Sequence, residues 1–180
     1  MKLRAAGFLD ASELFRAQQE QVTCVLPCLR EAIAGEMRSL LDRHPNLPVR
    51  LYQGNARLAL TACNAALVKS GTSTLEAMLL HRPMVVSYRL GELTYQLVSR
   101  LLRTPYVALP NILEGDELVP ELLQNDATPS ALAENLLAQL DKATANPEYL
   151  SRFEALHEAL RQGADDRAAE AVLDWLEQRA

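Results

Sequence analysis

Four short apolar runs, at residues 21–28 (QVTCVLPC), 49–52, 65–68 and 83–88 (PMVVSY), alternate with segments of helical period at 29–43, 56–63 and 73–80. Nothing else in the chain limits its fold as tightly. Runs this short and rich in β-branched residues suit strands. Strands that alternate with helices at short intervals must be joined by crossovers, which makes the neighbouring strands parallel. The expectation is an α/β domain, a Rossmann-like parallel sheet with helices on both faces. In such sheets ligands collect at the carboxyl ends of the strands.

The flanking regions complete this outline. Residues 10–20 have helical spacing, with Asp10 or Ser12 as a cap. In 29–43, Leu29, Ile33, Met37, Leu40 and Leu41 form one apolar face, and Pro45 ends that helix. A fifth strand is expected at 106–109, closed by Pro110-Asn111. Residues 120–123, 129–141, 147–161 and 165–178 read as helices with proline at or near their starts, and no strand is expected among them. Residues 90–103 (LGELTYQLVSRLLR) read as a helix packed on the core, with Arg100 and Arg103 reaching outward. The alternative is contact with an anionic leaflet.

Composition narrows the function classes. Hydrophobic residues make up 49% of the 180, enough for a core without disulfides or metal. The net charge of −5 argues against general nucleic-acid binding. The charge is uneven: from Arg82 to Arg103 four arginines face the single acid Glu92. That basic middle suits an anionic ligand or surface. Cys24, Cys28 and Cys63 are odd in number, and Cys24 and Cys28 lie inside an apolar run, so the three read as reduced, buried thiols in a cytosolic protein. His44, His81 and His157 fall in separate segments, and no zinc spacing is present. No apolar run approaches the roughly 18 residues of a membrane span, and no signal peptide is read.

The stretch that carries chemistry is VKSGTSTLEAM, residues 68–78. A strand end passes through small hydroxyl residues and one glycine into a helix. A helix start exposes unpaired N–H groups at the positive end of its dipole, which favours anions. Gly71 permits close backbone approach and positive φ. Ser70, Thr72, Ser73 and Thr74 supply hydroxyls. The pattern alone admits a second reading, because Ser73-Thr74-Leu75-Glu76 fits a capping box that needs no ligand. Glu76 separates the two. It either reaches back to the Ser73 N–H, or it faces a nucleotide and accepts hydrogen bonds from the ribose hydroxyls.

Five ordered motifs bear a resemblance: Ser70-Gly71-Thr72-Ser73-Thr74-Leu75-Glu76, His81-Arg82-Pro83-Met84-Val85-Val86, Tyr88-Arg89, Tyr106-Val107-Ala108-Leu109-Pro110-Asn111-Ile112-Leu113, and Glu117-Leu118-Val119-Pro120-Glu121-Leu122-Leu123-Gln124. Together they closely resemble the lipid-A-disaccharide synthase family, inverting glycosyltransferases of the GT-B type. The likeness extends upstream through Val25-Leu26-Pro27-Cys28 and downstream through the terminal helices. It implies transfer of a diacylglucosamine from its UDP derivative to diacylglucosamine 1-phosphate, giving the β-1,6-linked lipid A disaccharide and UDP.

The resemblance also implies an organisation. Residues 1–125 correspond to the C-terminal, UDP-sugar-binding domain. Residues 126–180 form a helical segment that packs on an N-terminal acceptor domain or exchanges between protomers of a homodimer. Neither that acceptor domain nor the Leu-Pro-Gly-Ser-Arg stretch that opens the nucleotide domain is in this sequence, so Met1 reads as the start of a truncated frame. The whole enzyme is expected on the cytoplasmic face of the inner membrane, bound peripherally.

Carried over residue by residue, Ser70, Gly71 and Thr72 meet the UDP phosphates, Ser73 belongs to the donor-binding set and can also cap the helix, and Glu76 holds the ribose. Asn111 faces the donor, or serves as a turn residue after Pro110. Arg89 neutralises phosphate, or is a solvated rim arginine. Glu117 stays near the site or caps a helix. Asp116 stands where the family usually has a basic residue after Gly115, which argues against a phosphate contact there. No metal or cofactor is implied, and the general base is expected in the other half. Two further readings stay open: another GT-B UDP-sugar enzyme, and a non-catalytic interaction module built on the same fold.

Overall fold

A computed structural model describes residues 2–19, 21–89 and 104–177. The expected helix at 90–103, with its two arginines, lies outside the described residues. The chain order is α1 (Lys2–Gln18), β1 (Cys24–Cys28), α2 (Glu31–Leu41), β2 (Val49–Gln53), α3 (Ala56–Ala62), β3 (Ala66–Lys69), α4 (Thr72–Leu79), β4 (Met84–Tyr88), α5 (Leu109–Glu114), β5 (Glu121–Leu123), a 3-10 turn (Gln124–Asp126), α6 (Pro129–Ala145), α7 (Pro147–Leu160) and α8 (Ala164–Glu177).

All strand pairings among the described residues are parallel. β1 pairs with β2, and β3, β4 and β5 form a second sheet in that order. β4 lies at the centre of the second sheet, and its burial shows the period-two alternation of a strand covered on both faces. Met84 and Val86 pack with Ala77 and Met78 of α4 and with Tyr149 and Phe153 of α7. Val85, between them, packs with Ala11 and Phe15 of α1 and with Leu132, Ala133 and Leu136 of α6. A third cluster joins Leu9, Cys28, Ala34, Met37, Leu40 and Leu47 around the first sheet.

The helix starts follow local chemistry. Thr128 Oγ1 and Asn146 Oδ1 accept from the N–H groups of Ala131 and Glu148, with Pro129 and Pro147 as the first helical residues. α5 ends at Gly115, whose φ of 76° is the left-handed cap that glycine adopts at least cost. By contrast α8 buries none of its residues, and Val172, Leu173 and Leu176 are exposed.

Four sequence expectations are corrected. α1 begins at Lys2, so Ser12 lies mid-helix and its hydroxyl donates back to Phe8 O rather than capping. Residues 106–109 are not a strand, because Leu109 opens α5 and Pro110 fills an early helical position. Residues 120–123 are not a helix: Glu121–Leu123 pairs with Val86–Tyr88 as β5. The C-terminal third therefore contains a strand.

Candidate functional site

The carboxyl ends of β3 and β4 meet the turn into α4. Gly71 is the N-cap of α4, at φ 144° and ψ −162°, a conformation essentially reserved for glycine. A Cβ there would meet no atom of the described residues within 4 Å, so among them conformation alone demands glycine. Thr74, fully buried, donates its hydroxyl to Gly71 O at 2.7 Å and its N–H at 3.1 Å.

The capping box, the second reading of this stretch, is absent. The helix begins two residues before Ser73 could cap it, and the N-cap has no side-chain hydrogen bond. Ser73 is the second residue inside α4, so Glu76 is out of register to reach back. Thr72, Ser73 and Glu76 are exposed, and among the described residues their side chains have no hydrogen-bond partner. The N–H groups of Thr72 and Ser73 likewise have no acceptor among the described residues. Two backbone donors, two hydroxyls and a carboxylate one turn further on are therefore unspent at one helix start. That arrangement can take an anion at the helix end and a diol beside it.

Ser70 is held differently. Its N–H reaches Ser87 O at 3.3 Å, and its hydroxyl donates to Val107 O at 2.8 Å. With its one proton committed, Ser70 fixes the turn and is not a donor to an anion. Lys69 brings a cation to the same edge, 6.0 Å above the Tyr88 ring. Arg89 lies at the end of β4, but its Nε donates to Gln124 O at 2.8 Å and its Nη2 to Ala127 O at 3.1 Å, stapling β4 to the turn after β5.

Asn111 is fully buried, and its amide is used to capacity. Nδ2 donates to Val119 O and to Glu121 Oε1, each at 2.8 Å, and Oδ1 accepts the N–H groups of Leu118 and Val119 at 2.9 Å. It clamps the 115–121 loop rather than offering its amide outward. Glu117 is exposed at the rim of a hollow of about 150 Å³, lined also by Tyr106, Asn111, Glu121 and Leu123. Asp116 and Glu114 pair with Arg152 of α7 at 3.2 and 2.7 Å, which gives the acidic residue after Gly115 a structural partner.

One residue of weight was missed. Glu121 accepts the Val107 N–H at Oε2 and the Ala108 N–H at Oε1, both at 2.8 Å, besides Asn111. It stood in a quoted motif, but a helical reading of 120–123 gave its side chain no reason to turn inward. The cysteines offer no nucleophile: all three are free, and burial pushes each thiol above its ordinary value.

A family model described as lipid-A-disaccharide synthetase matches residues 2–172. Among curated relatives named lipid-A-disaccharide synthase, that of Pseudomonas savastanoi pv. phaseolicola is 48% identical over 171 residues, covering 95% of this chain and 44% of the relative. Those of Pseudomonas aeruginosa and Pseudomonas putida are 45% and 47% identical over 174 residues, each covering 97% of this chain and 45% of the relative. The chain spans a little under half the length of these relatives. The matched range includes the Gly71 turn, the Asn111 clamp and β5, and the chain belongs to the lipid-A-disaccharide synthetase family.

Proposed function

We propose that this chain is the donor-nucleotide half of a lipid-A-disaccharide synthase. The whole enzyme transfers diacylglucosamine from its UDP derivative to diacylglucosamine 1-phosphate, with loss of UDP. The observation that carries the reading is the unspent start of α4. The N–H and hydroxyl groups of Thr72 and Ser73 meet the diphosphate across Gly71, and Glu76 accepts hydrogen bonds from the ribose. Ser70, Asn111 and Arg89 act from behind, holding the turn, the 106–121 loop and the end of β4. As the glycosidic bond to UDP breaks, negative charge grows on the diphosphate, and donors fixed in advance at a helix end stabilise it. No residue here is assigned as the general base, which belongs to the other half.

The strand order supports the domain reading. The sequence β2-β1 and β3-β4-β5 becomes the doubly wound order when one further parallel strand stands between β1 and β3. α6 and α7 bury apolar residues against the second sheet, whereas α8 buries none, and its exposed Val172, Leu173 and Leu176 offer an apolar surface to an acceptor domain or a second protomer. The whole enzyme works peripherally at the cytoplasmic face of the inner membrane. No described helix is long and apolar enough to cross one.

Calorimetric titration with UDP tests the site. Binding that disappears in the Gly71→Val, Glu76→Ala double variant supports the assignment, and binding that survives both changes removes it.

A further inference from the structure

We infer that Glu121 is a positioning residue of the donor site, acting on the Gly71 turn through one peptide group. The inference rests on the proposal that this turn holds the nucleotide phosphates. The peptide joining Val107 to Ala108 is used at both ends. Its N–H donates to Glu121 Oε1 at 2.8 Å, and its C=O accepts the Ser70 hydroxyl at 2.8 Å. Ser70, the peptide and the carboxylate thus form one continuous hydrogen-bond chain, in which each bond polarises the next.

A carboxylate suits the far end of this chain. Three N–H donors converge on Glu121, from Val107, Ala108 and the Asn111 side chain, and an ionised carboxylate only accepts. A glutamine would turn its own N–H₂ toward at least one of these donors. Glu121 is itself anchored, because β5 pairs with β4 and Val86 N–H donates to Pro120 O at 2.9 Å. β4 also carries Ser87, whose carbonyl takes the Ser70 N–H. Ser70 is therefore gripped from β4 on its backbone and from Glu121, through the peptide, on its side chain. Gly71 follows directly, so the direction of the α4 N–H groups is set by those two grips.

The test combines amide exchange without ligand and UDP titration, on the intact chain and on Glu121→Gln, Ser70→Ala and the double variant. Glu121→Gln is expected to speed exchange at Val107, Ala108, and at Ser70 and Thr74, whose N–H groups are bonded on either side of the Gly71 turn, while Ala34 in α2 stays protected, and to weaken UDP binding about tenfold, the worth of one such hydrogen bond. Adding Ser70→Ala is expected to weaken binding by no more than about twofold further, because both changes cut one chain. Independent, multiplying losses overturn the inference, as does unchanged exchange at Ser70 and Thr74. If Glu121→Gln fails to fold, Ser70→Ala decides alone: faster exchange at Ala108 supports the chain and an unchanged rate overturns it. If the intact protein does not bind UDP, the donor-site proposal fails, and the exchange arm still settles whether Glu121 governs the turn.

Discussion

Asn111→Asp is nearly isosteric, so it leaves packing unchanged and alters only hydrogen bonding and charge at a fully buried position. The two acceptor contacts, from the N–H groups of Leu118 and Val119, survive. The two donor contacts do not: an ionised carboxylate would face Val119 O and Glu121 Oε1, each 2.8 Å from the present nitrogen. Two carboxylates at that separation cannot both stay ionised, so the pair takes up a proton in the folded state. Holding that proton at pH 7, about three units above an ordinary aspartate value, costs about 4 kcal/mol. The proton restores one donor, and the other lost hydrogen bond adds about 1 kcal/mol. The expected loss is about 5 kcal/mol at pH 7, comparable to the whole stability of many domains.

The sign with pH follows. The folded pair binds a proton that the unfolded chain releases, so the variant's stability is retained below the ordinary carboxylate range and lost as pH rises. Urea unfolding of both proteins from pH 4 to 7, followed by circular dichroism, should show a gap of about 1 kcal/mol at pH 4 that widens with pH. A gap under 1 kcal/mol at pH 7, or one independent of pH, would refute the clamp. UDP affinity lost with stability intact would instead turn the amide toward the donor.

Three further outcomes are expected. Gly71→Ala should destabilise by about 1–3 kcal/mol through backbone strain alone, since its Cβ meets nothing; a neutral result in thermal melts would mean the turn relaxes freely. Tyr149→Phe strips the partner from Gln139 Oε1, 2.7 Å away in the core, and should cost about 1–2 kcal/mol at pH 7. Burial raises the Tyr149 pKa well above the ordinary value, against a smaller pull from Arg152. The native tyrosine therefore loses about 1.4 kcal/mol per unit above pH 10 relative to the variant, and a gap constant with pH in urea titrations would contradict this. Finally, Cys63, raised by burial and lowered less by Arg82, should alkylate slowly at pH 8 until urea exposes it; fast native labelling would overturn that assignment.

The fold was legible where periodicity and length agreed. β4 is three apolar residues in succession, buried on both faces, and such a run beside a glycine turn has few alternatives. Legibility failed where tertiary pairing decides. Residues 120–123 are too few to show a period, and what makes them a strand is the Val86–Tyr88 edge, 33 or more residues upstream. At 106–109 the signals for a helix start were present, with Pro110 early and Gly115 at the end, but the β-rich composition outweighed them. The capping box had the right letters in the wrong register. A motif of four residues fixes spacing but not where the helix begins, and Gly71 starts it too early for Ser73 to cap.

Of the proposed site residues, the exposed groups at the start of α4 were readable, and the inward contacts of Ser70, Asn111 and Glu121 were not. The contrast between two helix starts explains why. At α5, Pro110 has no N–H to offer, and the N–H groups of Val107 and Ala108 are spent on Glu121. An anion could enter there only by displacing a carboxylate with three donors of its own. At α4 the cap is a glycine with no side chain to compete, and the N–H groups of Thr72 and Ser73 have no acceptor among the described residues. Both starts lie on the same side of the second sheet, tied together by Ser70 and Val107. At the first a carboxylate already stands against two backbone N–H groups, and at the second no side chain among the described residues does. On the proposed donor site, Glu121 supplies the negative charge beside the first start, and the ligand's charge falls to the second.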